Sequence, residues 1–367
     1  MSFSRSWKPR GRDTLRKFSL GDWQVEIPHV NTRLLYNRSR YSGSWGAGRA
    51  CSGSLDPGPI VKGESIWDSE EYWRGDTLFI PGQGSQLLFG SAGVPGRHTA
   101  DNWKISCTTN TNNSEGFTEG FVAHSPQGLR YTLDQFRKVH TGSLVKDRKG
   151  ISSYEGYMLA SKVEDRFGNW VRYHYDDNAG PNRPLLTRIS ASDGRQISIQ
   201  YRSTNGRKVI DSVSSGNTTW RYTYERNAYG QNVLKQVTRP DGKQWAMSLE
   251  GMDIEANPIS RGYTPGGCDG YQNGNSGTGS IQHPDGATGV FSLRQVVHGR
   301  TNVPKKLMGL GGYWQYGKCF PAIALQSKRI TGPGLEPMEW LYHYSENHGA
   351  FENEPAEEPA GFDPVPG

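Results

Sequence analysis

The sequence predicts an all-β protein whose strands are arranged as tandem β-hairpins. Apolar residues make up only 34% of the chain, whereas 47 of its 367 residues are glycine, 11 are tryptophan and 18 are tyrosine. Short runs in which polar and aromatic residues alternate recur along the chain, and glycine-containing turns separate them. Alternation with a period of two is typical of strands, and frequent glycine is typical of tight turns.

The N-terminal part is expected to hold a basic lead at residues 1–20 and a β region at residues 21–120 that precedes the repeats. The lead, MSFSRSWKPRGRDTLRKFSL, has no apolar segment and therefore lacks the pattern of a secretory signal. At most one short helix is expected in the whole chain, either in RDTLRKF or at residues 133–138.

The clearest hairpin units lie at residues 121–250. In VEDRFGNWVRYHYDD a glycine turn leads into an alternating strand that ends on tyrosines, and the same plan returns at intervals of 22 to 26 residues. The residues that define the repeat are Gly168, Tyr173, Tyr175, Gly194, Tyr201, Tyr222, Tyr224, Gly242, Tyr342 and Tyr344. The Asp-Gly pairs at two of these turns predict two-residue hairpin turns. A regular recurrence of this kind predicts stacked hairpins.

The alternation also predicts the two faces of the sheet. Because residues two apart share a face, the tyrosines are expected to be buried or half-buried between neighbouring hairpins. The opposite face is expected to carry polar side chains, among them Arg172, His174 and Arg221.

The C-terminal third is predicted to have three parts. Residues 251–280 are rich in glycine, asparagine and serine and are expected to form a loop or insertion. Residues 281–345 contain a weaker copy, HPDGATGVFSL, followed by LQSKRITGPGLEPMEWLYHYS, which restores the whole hairpin plan. Residues 346–367 are acidic and rich in proline, and are expected to be a disordered tail.

Several of these segments resemble the Rhs/YD-repeat family, namely DRFGNWVRYHYD, LTRISASDGRQISIQY, VTRPDGKQW and KRITGPGLEPMEWLYHYS. The upstream segments WQVEIPHV, YWRGDTLFIPGQGSQLL and SEGFTEGFVAHSPQGLRY are similar to the part that precedes the repeats in large bacterial members. The resemblance implies a curved, spiralling open sheet that forms part of a β-shell. In relatives such a shell encloses or delivers a C-terminal toxin, or serves at the cell surface.

The resemblance also implies the partners and location of the chain. The chain corresponds to the pre-repeat segment and the first several repeats, and is expected to be a fragment. Its expected partners are the remaining repeats or the C-terminal effector domain of a longer relative. It is expected to be secreted or at the cell surface, after a cytoplasmic stage before export. An open sheet edge near Trp340–Tyr344 is expected to cause self-association.

The charge pattern bears on anionic partners. The net charge is +6, and no run of basic residues marks a nucleic-acid-binding arm. The basic residues lie singly at alternating positions, which is typical of solvated strand faces. We therefore expect no nucleic-acid partner. No stretch is apolar and long enough for a transmembrane helix, so no membrane insertion is expected either.

The four cysteines do not form a metal-binding or redox motif. Cys51, Cys107, Cys268 and Cys319 are far apart, and no C-x-x-C occurs. Two disulfides or four unpaired thiols are both compatible with this spacing.

Catalytic chemistry is weakly indicated. In ESIWDSEEYWRGD the carboxylates of Asp68, Glu70 and Glu71 lie between aromatic residues, as in a glycosidase, but the stretch is also typical of a solvated turn. The nine histidines show no metal-ligand spacing, and no phosphate-binding loop is present. We therefore expect no enzyme activity, no metal and no cofactor.

Three functions remain as hypotheses. The first is a non-enzymatic structural wall of β repeats. The second is a carbohydrate- or polyanion-binding module that uses basic strand faces and exposed aromatic rings. Its candidate glycan contacts are Trp67, Trp73, Trp170 and Trp340. The third, a glycosidase, is remote.

Overall fold

The structure is a computed structural model. It describes residues 3–7, 22–37, 40–55, 57–90, 96–109, 117–146, 148–176, 185–204, 206–228, 230–254, 275–303, 307–308, 313–314, 318–344 and 349–350. The stretch RDTLRKF, most of the loop predicted at residues 251–280 and almost all of the predicted tail lie outside these ranges. Within the described ranges, no helix is both long and apolar enough to span a membrane.

The described residues confirm an all-β fold with a large antiparallel sheet. The chain divides into two compact units, Met1–Lys8 with Asp13–Leu234, and Pro9–Arg12 with Lys235–Gly367. The strands up to residue 226 are β1 (Ser4–Trp7), β2 (Trp23–Glu26), β3 (His29–Asn37), β4 (Arg40–Ser42), β5 (Ile60–Lys62), β6 (Ser65–Trp67), β7 (Thr77–Ile80), β8 (Gly84–Leu87), β9 (Arg97–His98), β10 (Lys104–Thr109), β11 (Glu119–His124), β12 (Arg130–Lys146), β13 (Lys149–Glu164), β14 (Trp170–Asp176), β15 (Leu185–Ala191), β16 (Gln196–Thr204), β17 (Arg207–Ser215) and β18 (Thr218–Arg226).

The remaining strands are β19 (Asn232–Thr238), β20 (Gln244–Ser248), β21 (Ser276–Gln282), β22 (Thr288–Gly299), β23 (Leu307–Met308), β24 (Tyr313–Trp314), β25 (Cys319–Gly332) and β26 (Leu335–Leu341). Helical structure in the described part is limited to α1 (Ser69–Tyr72) and the 3-10 turns Gly46–Gly48 and Glu250–Met252. The helix expected at residues 133–138 is wrong, because these residues lie inside β12. There the pairing with β13 supplies the backbone hydrogen bonds that a helix would make internally.

The first unit is organised around β3 and β13. Strand β13 pairs with β12, β14 and, further along its length, β3. Strand β3 in turn pairs with β4 and β7. From β9 to β13, and again from β13 to β18, consecutive strands pair as antiparallel neighbours. This arrangement places the β region before the repeats directly beside the first long hairpin.

The core of the first unit lies on the inner face of these strands. Trp45, Trp103 and Phe121 are almost completely buried, and they pack in one cluster with aliphatic residues such as Leu34 and Leu133. Each buried aromatic ring contributes a large apolar area to the core. Part of the aromatic content noted in the sequence therefore belongs to the core.

The second unit repeats the hairpin arrangement. The C-terminal residues of β19 pair with β20, and the order continues through β21, β22, β25 and β26. The long strands β22 and β25 pair over twelve positions, from Thr288 opposite Thr331 to Gly299 opposite Cys319. The described part of residues 281–345, where hairpins were predicted, therefore consists mainly of strands.

Two hairpin turns are one residue longer than predicted. The Asp193-Gly194 turn has three residues, because the backbone N–H of Ala191 donates to Arg195 (2.9 Å) and that of Gly194 donates to Ala191 (3.0 Å). The Asp241-Gly242 turn has the same pattern between Arg239 and Lys243. These are type I turns followed by a left-handed glycine, a geometry that suits the twist of a hairpin as well as a two-residue turn does.

Candidate functional site

Four tyrosines that the sequence analysis selected make the same hydrogen bond in four hairpins. Each hydroxyl donates to a backbone carbonyl on the preceding strand, in the pairs Tyr175 to Ala160 (2.6 Å), Tyr201 to Leu186 (2.7 Å), Tyr224 to Ile210 (2.8 Å) and Tyr344 to Leu325 (2.8 Å). We call this hydrogen bond the tyrosine latch. Burial raises the pKa of three of these phenols, Tyr175, Tyr201 and Tyr224, so they stay protonated and able to donate.

The register of the latch is constant. Each tyrosine lies three residues beyond the last ladder pair of its hairpin, and those pairs end at Arg172, Ser198, Arg221 and Leu341. The carbonyl that accepts this hydrogen bond belongs to the residue directly before a β-bulge. At the bulge, one residue has no partner in the ladder with the strand on the other side. The skipped residues are Ser161, Thr187, Asp211 and Gln326. A bulge disrupts the ladder locally, and the tyrosine hydroxyl supplies a donor at that point.

Two hairpins lack the latch for a visible reason. Three residues beyond the last ladder pair, the β11–β12 hairpin has Phe136 and the β19–β20 hairpin has Leu249. Neither side chain carries a donor.

The other selected tyrosines have different surroundings. Tyr222 is buried, and Tyr173 and Tyr342 are half-buried. Burial raises the pKa of Tyr173 to about 12. Tyr344 is 36% exposed although its hydroxyl is latched, because among the described residues of its unit β26 pairs only with β25. The expectation that all these rings are covered is thus wrong at the end of the sheet.

The carboxylates considered for glycosidase chemistry have structural contacts. Asp68 caps α1, and the Glu71 side chain accepts a hydrogen bond from the Asp68 backbone N–H (2.7 Å). Glu71 also forms an ion pair with Lys146 on β12 (3.0 Å). A capping box of this kind satisfies the free N–H groups at the start of a helix. Glu71 therefore anchors α1 to the sheet.

A buried carboxylate that the sequence analysis missed lies nearby. Asp76 is completely buried, and it accepts hydrogen bonds from Ser44 (2.6 Å), Trp45 (3.2 Å), Trp73 (3.2 Å) and the guanidinium of Arg97. Arg97 also donates to the Gly53 carbonyl (2.9 Å). The donors come from three separate stretches of the region before the repeats, at Ser44–Trp45, at Trp73 and at Arg97, so the network joins those stretches. In the sequence, the only sign of this network is an aspartate directly before β7.

The candidate glycan contacts are not brought together. Trp67 is 2% exposed and packs in a core cluster, while the indole N–H of Trp73 is bonded to Thr32 and Asp76. Trp170 is half-buried beneath the Arg172 guanidinium, which lies 4.7 Å from its ring centroid. Trp340 is 38% exposed, and the Lys328 ammonium lies 4.1 Å from its ring centroid. Of the four, Trp340 offers the largest exposed ring.

A second arginine that the sequence analysis did not select is buried in the first unit. Arg137 on β12 is 5% exposed and lines a small cavity, with room for about one water molecule, together with Leu159, Leu186 and Tyr201. Burial lowers the pKa of Arg137 to about 10, and the neighbouring phenols oppose that shift. The guanidinium remains charged at neutral pH.

The exposed face of β14 and β15 carries a basic cluster. Arg172 lies opposite Ser190, and His174 lies opposite Arg188. The Arg188 guanidinium approaches His174 Nδ1 (3.4 Å), and His174 Nε2 is hydrogen-bonded to the Ser190 hydroxyl (2.7 Å). Arg172 and His174 were predicted for this face from the alternation in the sequence, and Arg188 joins them from the neighbouring strand.

The C-terminal strand of the described sheet is an exposed edge. All seven residues of β26 are exposed, and within its unit this strand pairs only with β25 in the described part of the chain. The apolar side chains Leu335, Met338, Trp340 and Leu341 are 38% to 65% exposed. In the described part of the second unit, the large exposed apolar side chains lie in β26 and at Tyr344.

Two further features concern covalent and metal chemistry. Cys51 and Cys107 form a disulfide, and Cys319 is also disulfide-bonded, whereas Cys268 lies outside the described residues. Among the residues described, no group of three histidine, cysteine, aspartate or glutamate side chains is arranged to hold a metal ion.

No protein-family model matches the chain, and no curated protein is significantly similar to it.

Proposed function

We propose that this chain is a non-enzymatic structural protein, a wall of tandem β-hairpins of the Rhs/YD type that belongs to a shell or cell-surface assembly. The observation that carries the proposal is the tyrosine latch, which has the same register in four hairpins. A unit that repeats with one geometry can be extended in series, because each unit contacts mainly its neighbours.

The contacts of the acidic groups support a structural role. Asp68 and Glu71 are engaged at the start of α1, and Asp76 is sealed from solvent by its four donors. A catalytic acid or base has to reach the substrate. These three carboxylates instead hold secondary-structure elements in place.

The proposed partner is another strand, either the next hairpin of a longer relative or the same edge of a second copy. Strand β26 presents backbone groups and apolar side chains at an exposed edge. Such an edge is a template for strand addition. In relatives of this type the completed wall encloses or delivers a toxin, and we propose the wall role for this chain.

An exported location is part of the same proposal. The Cys51–Cys107 disulfide supports it, since disulfides persist in secreted and periplasmic proteins and are rare in the reducing cytosol.

The test is whether the β26 edge drives assembly. We expect the chain to self-associate at micromolar concentration in size-exclusion chromatography with light scattering. The double variant Met338→Lys/Leu341→Lys should shift the protein to the monomer, because lysines on an edge strand oppose strand addition.

The matched control is Val145→Lys, at a side chain that is 70% exposed but lies in the first unit. This control should leave the association unchanged. A wild-type chain that stays monomeric at these concentrations, or equal loss of association in both variants, would contradict the proposed role of the edge.

A further inference from the structure

Residues 342–344, which follow β26, repeat the sequence of residues 173–175 on β14, since both segments read Tyr-His-Tyr. Both segments begin directly after the last ladder pair of their hairpin, at Leu341 and at Arg172. Both also end on a tyrosine whose hydroxyl is latched to the preceding strand. The two segments therefore occupy equivalent places in their hairpins, and β14 indicates which kind of strand residues 342–344 can pair with.

On its outer side, the segment of β14 pairs with β15. The three pairs are Tyr173–Ile189, His174–Arg188 and Tyr175–Leu186, and Thr187 has no partner in this ladder. The ladder between β16 and β17 has the same register, with the pairs Ile199–Val213, Gln200–Ser212 and Tyr201–Ile210, and there Asp211 has no partner. A strand that adds beside a latched tyrosine thus carries a bulge directly after the residue that lies opposite the tyrosine.

The strands β15 and β17 share a sequence order, and β19 has it as well. Residues 185–189 read LLTRI, residues 209–213 read VIDSV and residues 233–237 read VLKQV. In all three, the first, second and fifth residues are apolar and at most 5% exposed. The third residue is the bulge in β15 and β17. The order apolar-apolar-polar-polar-apolar therefore places three apolar side chains in the core of a ladder that contains a bulge.

Residues 342–344 have no such strand beside them in the described part of the chain. Two of the three side chains are exposed, whereas all three are half-buried in β14. The segment is nevertheless fixed at both ends. The backbone N–H of Tyr342 donates to the Gln326 carbonyl (3.0 Å), and the Tyr344 hydroxyl donates to the Leu325 carbonyl (2.8 Å). A segment that is already ordered loses little conformational entropy when a partner strand adds to it.

We propose that residues 340–344 bind a segment of another polypeptide as an added antiparallel strand, and that this segment has the order apolar-apolar-polar-polar-apolar. This partner depends on the proposed function, in which β26 is the edge that takes a further strand. A folded second copy of the chain does not supply the segment from β15 or β17, because each of these strands is paired on both sides. The occupant is therefore a segment of a different polypeptide.

The equivalence with β14 also places the added strand beside the apolar end of β26. On β14, the two residues before the Tyr-His-Tyr segment lie opposite Ser190 and Ala191 of β15. Trp340 and Leu341 are the equivalent residues of β26, and they are 38% and 65% exposed. The two residues that follow the five-residue order would lie beside them. Strand addition would therefore cover apolar surface as well as pair an open edge, and apolar burial favours association.

The experiment is fluorescence anisotropy of a labelled synthetic peptide, RPLLTRISAS, titrated with the whole chain. This peptide has the sequence of residues 183–192, and we expect saturable binding. In a control peptide the second leucine and the threonine exchange places, which keeps composition and charge but puts a hydroxyl at the position where Leu186 is 4% exposed. Its affinity should be weaker by about tenfold or more, because burial of a leucine side chain contributes at least that much.

Two tyrosine variants test the edge itself. Tyr344→Phe loses the hydrogen bond that fixes the segment, and it should weaken the affinity for the peptide by about threefold or more. Tyr342→Phe is the matched control, since the Tyr342 hydroxyl makes no hydrogen bond to another described residue. It should change the affinity by less than about twofold. Hydrogen–deuterium exchange locates the bound peptide, which should slow the exchange of backbone amides at residues 340–344.

Three results would overturn the proposal. They are equal affinity for the two peptides, equal affinity of the two tyrosine variants, and slowed exchange at another strand instead of at residues 340–344. The result can be separated from that of the self-association test. A chain that stays monomeric but binds the peptide contradicts self-association and supports this partner. A chain that associates through β26 but shows no saturable binding of the peptide excludes this partner and leaves the edge in place.

Discussion

At the scale of single residues, the hydroxyl of the latched tyrosine has a role that the ring alone does not have. The ring fills the space beside the hairpin, and the hydroxyl bonds to a carbonyl where a bulge disrupts the ladder, as Tyr201 does at Leu186. A backbone carbonyl that is buried without a donor destabilises the fold. This is a physical reason why tyrosine, and not phenylalanine, recurs at this position in four hairpins.

We predict that Tyr201→Phe lowers the free energy of unfolding by about 1–3 kcal/mol, because the Leu186 carbonyl loses its donor while the ring is retained. Urea denaturation followed by tryptophan fluorescence measures this change. Tyr173→Phe is the control, since the Tyr173 hydroxyl makes no hydrogen bond to another described residue. It should change the free energy by less than about 0.5 kcal/mol. Equal changes in the free energy of unfolding at both positions would show that the latch hydrogen bond does not stabilise the fold.

At the scale of the elements, the hairpins depend on one backbone conformation in their turns. Gly168, Gly194 and Gly242 have φ of 86°, 85° and 81°. A Cβ at any of them would meet no atom within 4 Å. Their requirement for glycine is therefore conformational and not steric.

We predict that Gly194→Ala lowers the free energy of unfolding by about 1–2 kcal/mol, the cost of placing an L-residue in the left-handed region. Gly150→Ala is the matched control, because this glycine also has no atom within 4 Å of an added Cβ and its φ is not positive. The control should be neutral or slightly stabilising. Thermal unfolding of the two variants checks this, and a Gly194→Ala protein as stable as the wild type would contradict the assigned turn.

At the scale of the whole molecule, long-range links stabilise the region before the repeats. The Asp76 network joins residues from Ser44 to Arg97, and the Cys51–Cys107 disulfide closes a loop between residues 56 apart in sequence. Arg97 is buried opposite Asp76, so removing one partner would leave an uncompensated charge. Several ladders in this region pair only two to four residues of each strand, and cross-links of this kind add to what such short ladders contribute.

We predict that Cys51→Ser/Cys107→Ser lowers the free energy of unfolding by about 4 kcal/mol, from the chain entropy that a loop of this length gains when it opens. The double variant isolates this bond, since a reducing agent would also act on the disulfide of Cys319. Urea denaturation of the variant and of the oxidised wild type gives the comparison. A difference below about 1 kcal/mol would mean that the Asp76 network alone holds the region together.

Much of the fold was predictable because the hairpin pattern is local. The alternation around Tyr173 and Tyr175 predicted a strand with one polar face, and β14 has it. The turn lengths at Gly194 and Gly242 were not predictable from Asp-Gly alone, because two- and three-residue turns both accept a glycine with positive φ. The strand at residues 133–138 was mistaken for a possible helix site, since its pairing with β13 is a tertiary contact.

The candidate sites were less predictable than the strands. The sequence shows Arg172 and His174 on one face, but Arg188 joins them only because β15 pairs with β14 in that register. The sequence predicted exposed rings at Trp67 and Trp73. In the structure Trp67 is buried in the core, and the indole N–H of Trp73 donates to Asp76.

The sequence by itself determined the all-β class, the hairpin turns and the face on which each alternating residue lies, because these follow from backbone preferences over a few neighbouring residues. Only the tertiary structure decided which residues meet across strands: the tyrosine latches at the bulges, the disulfide of Cys51 with Cys107, the buried Asp76–Arg97 pair and the cluster of Arg172, His174 and Arg188. The physical reason is that strand register and bulge position depend on the packing of whole hairpins, and no short stretch of sequence contains that information.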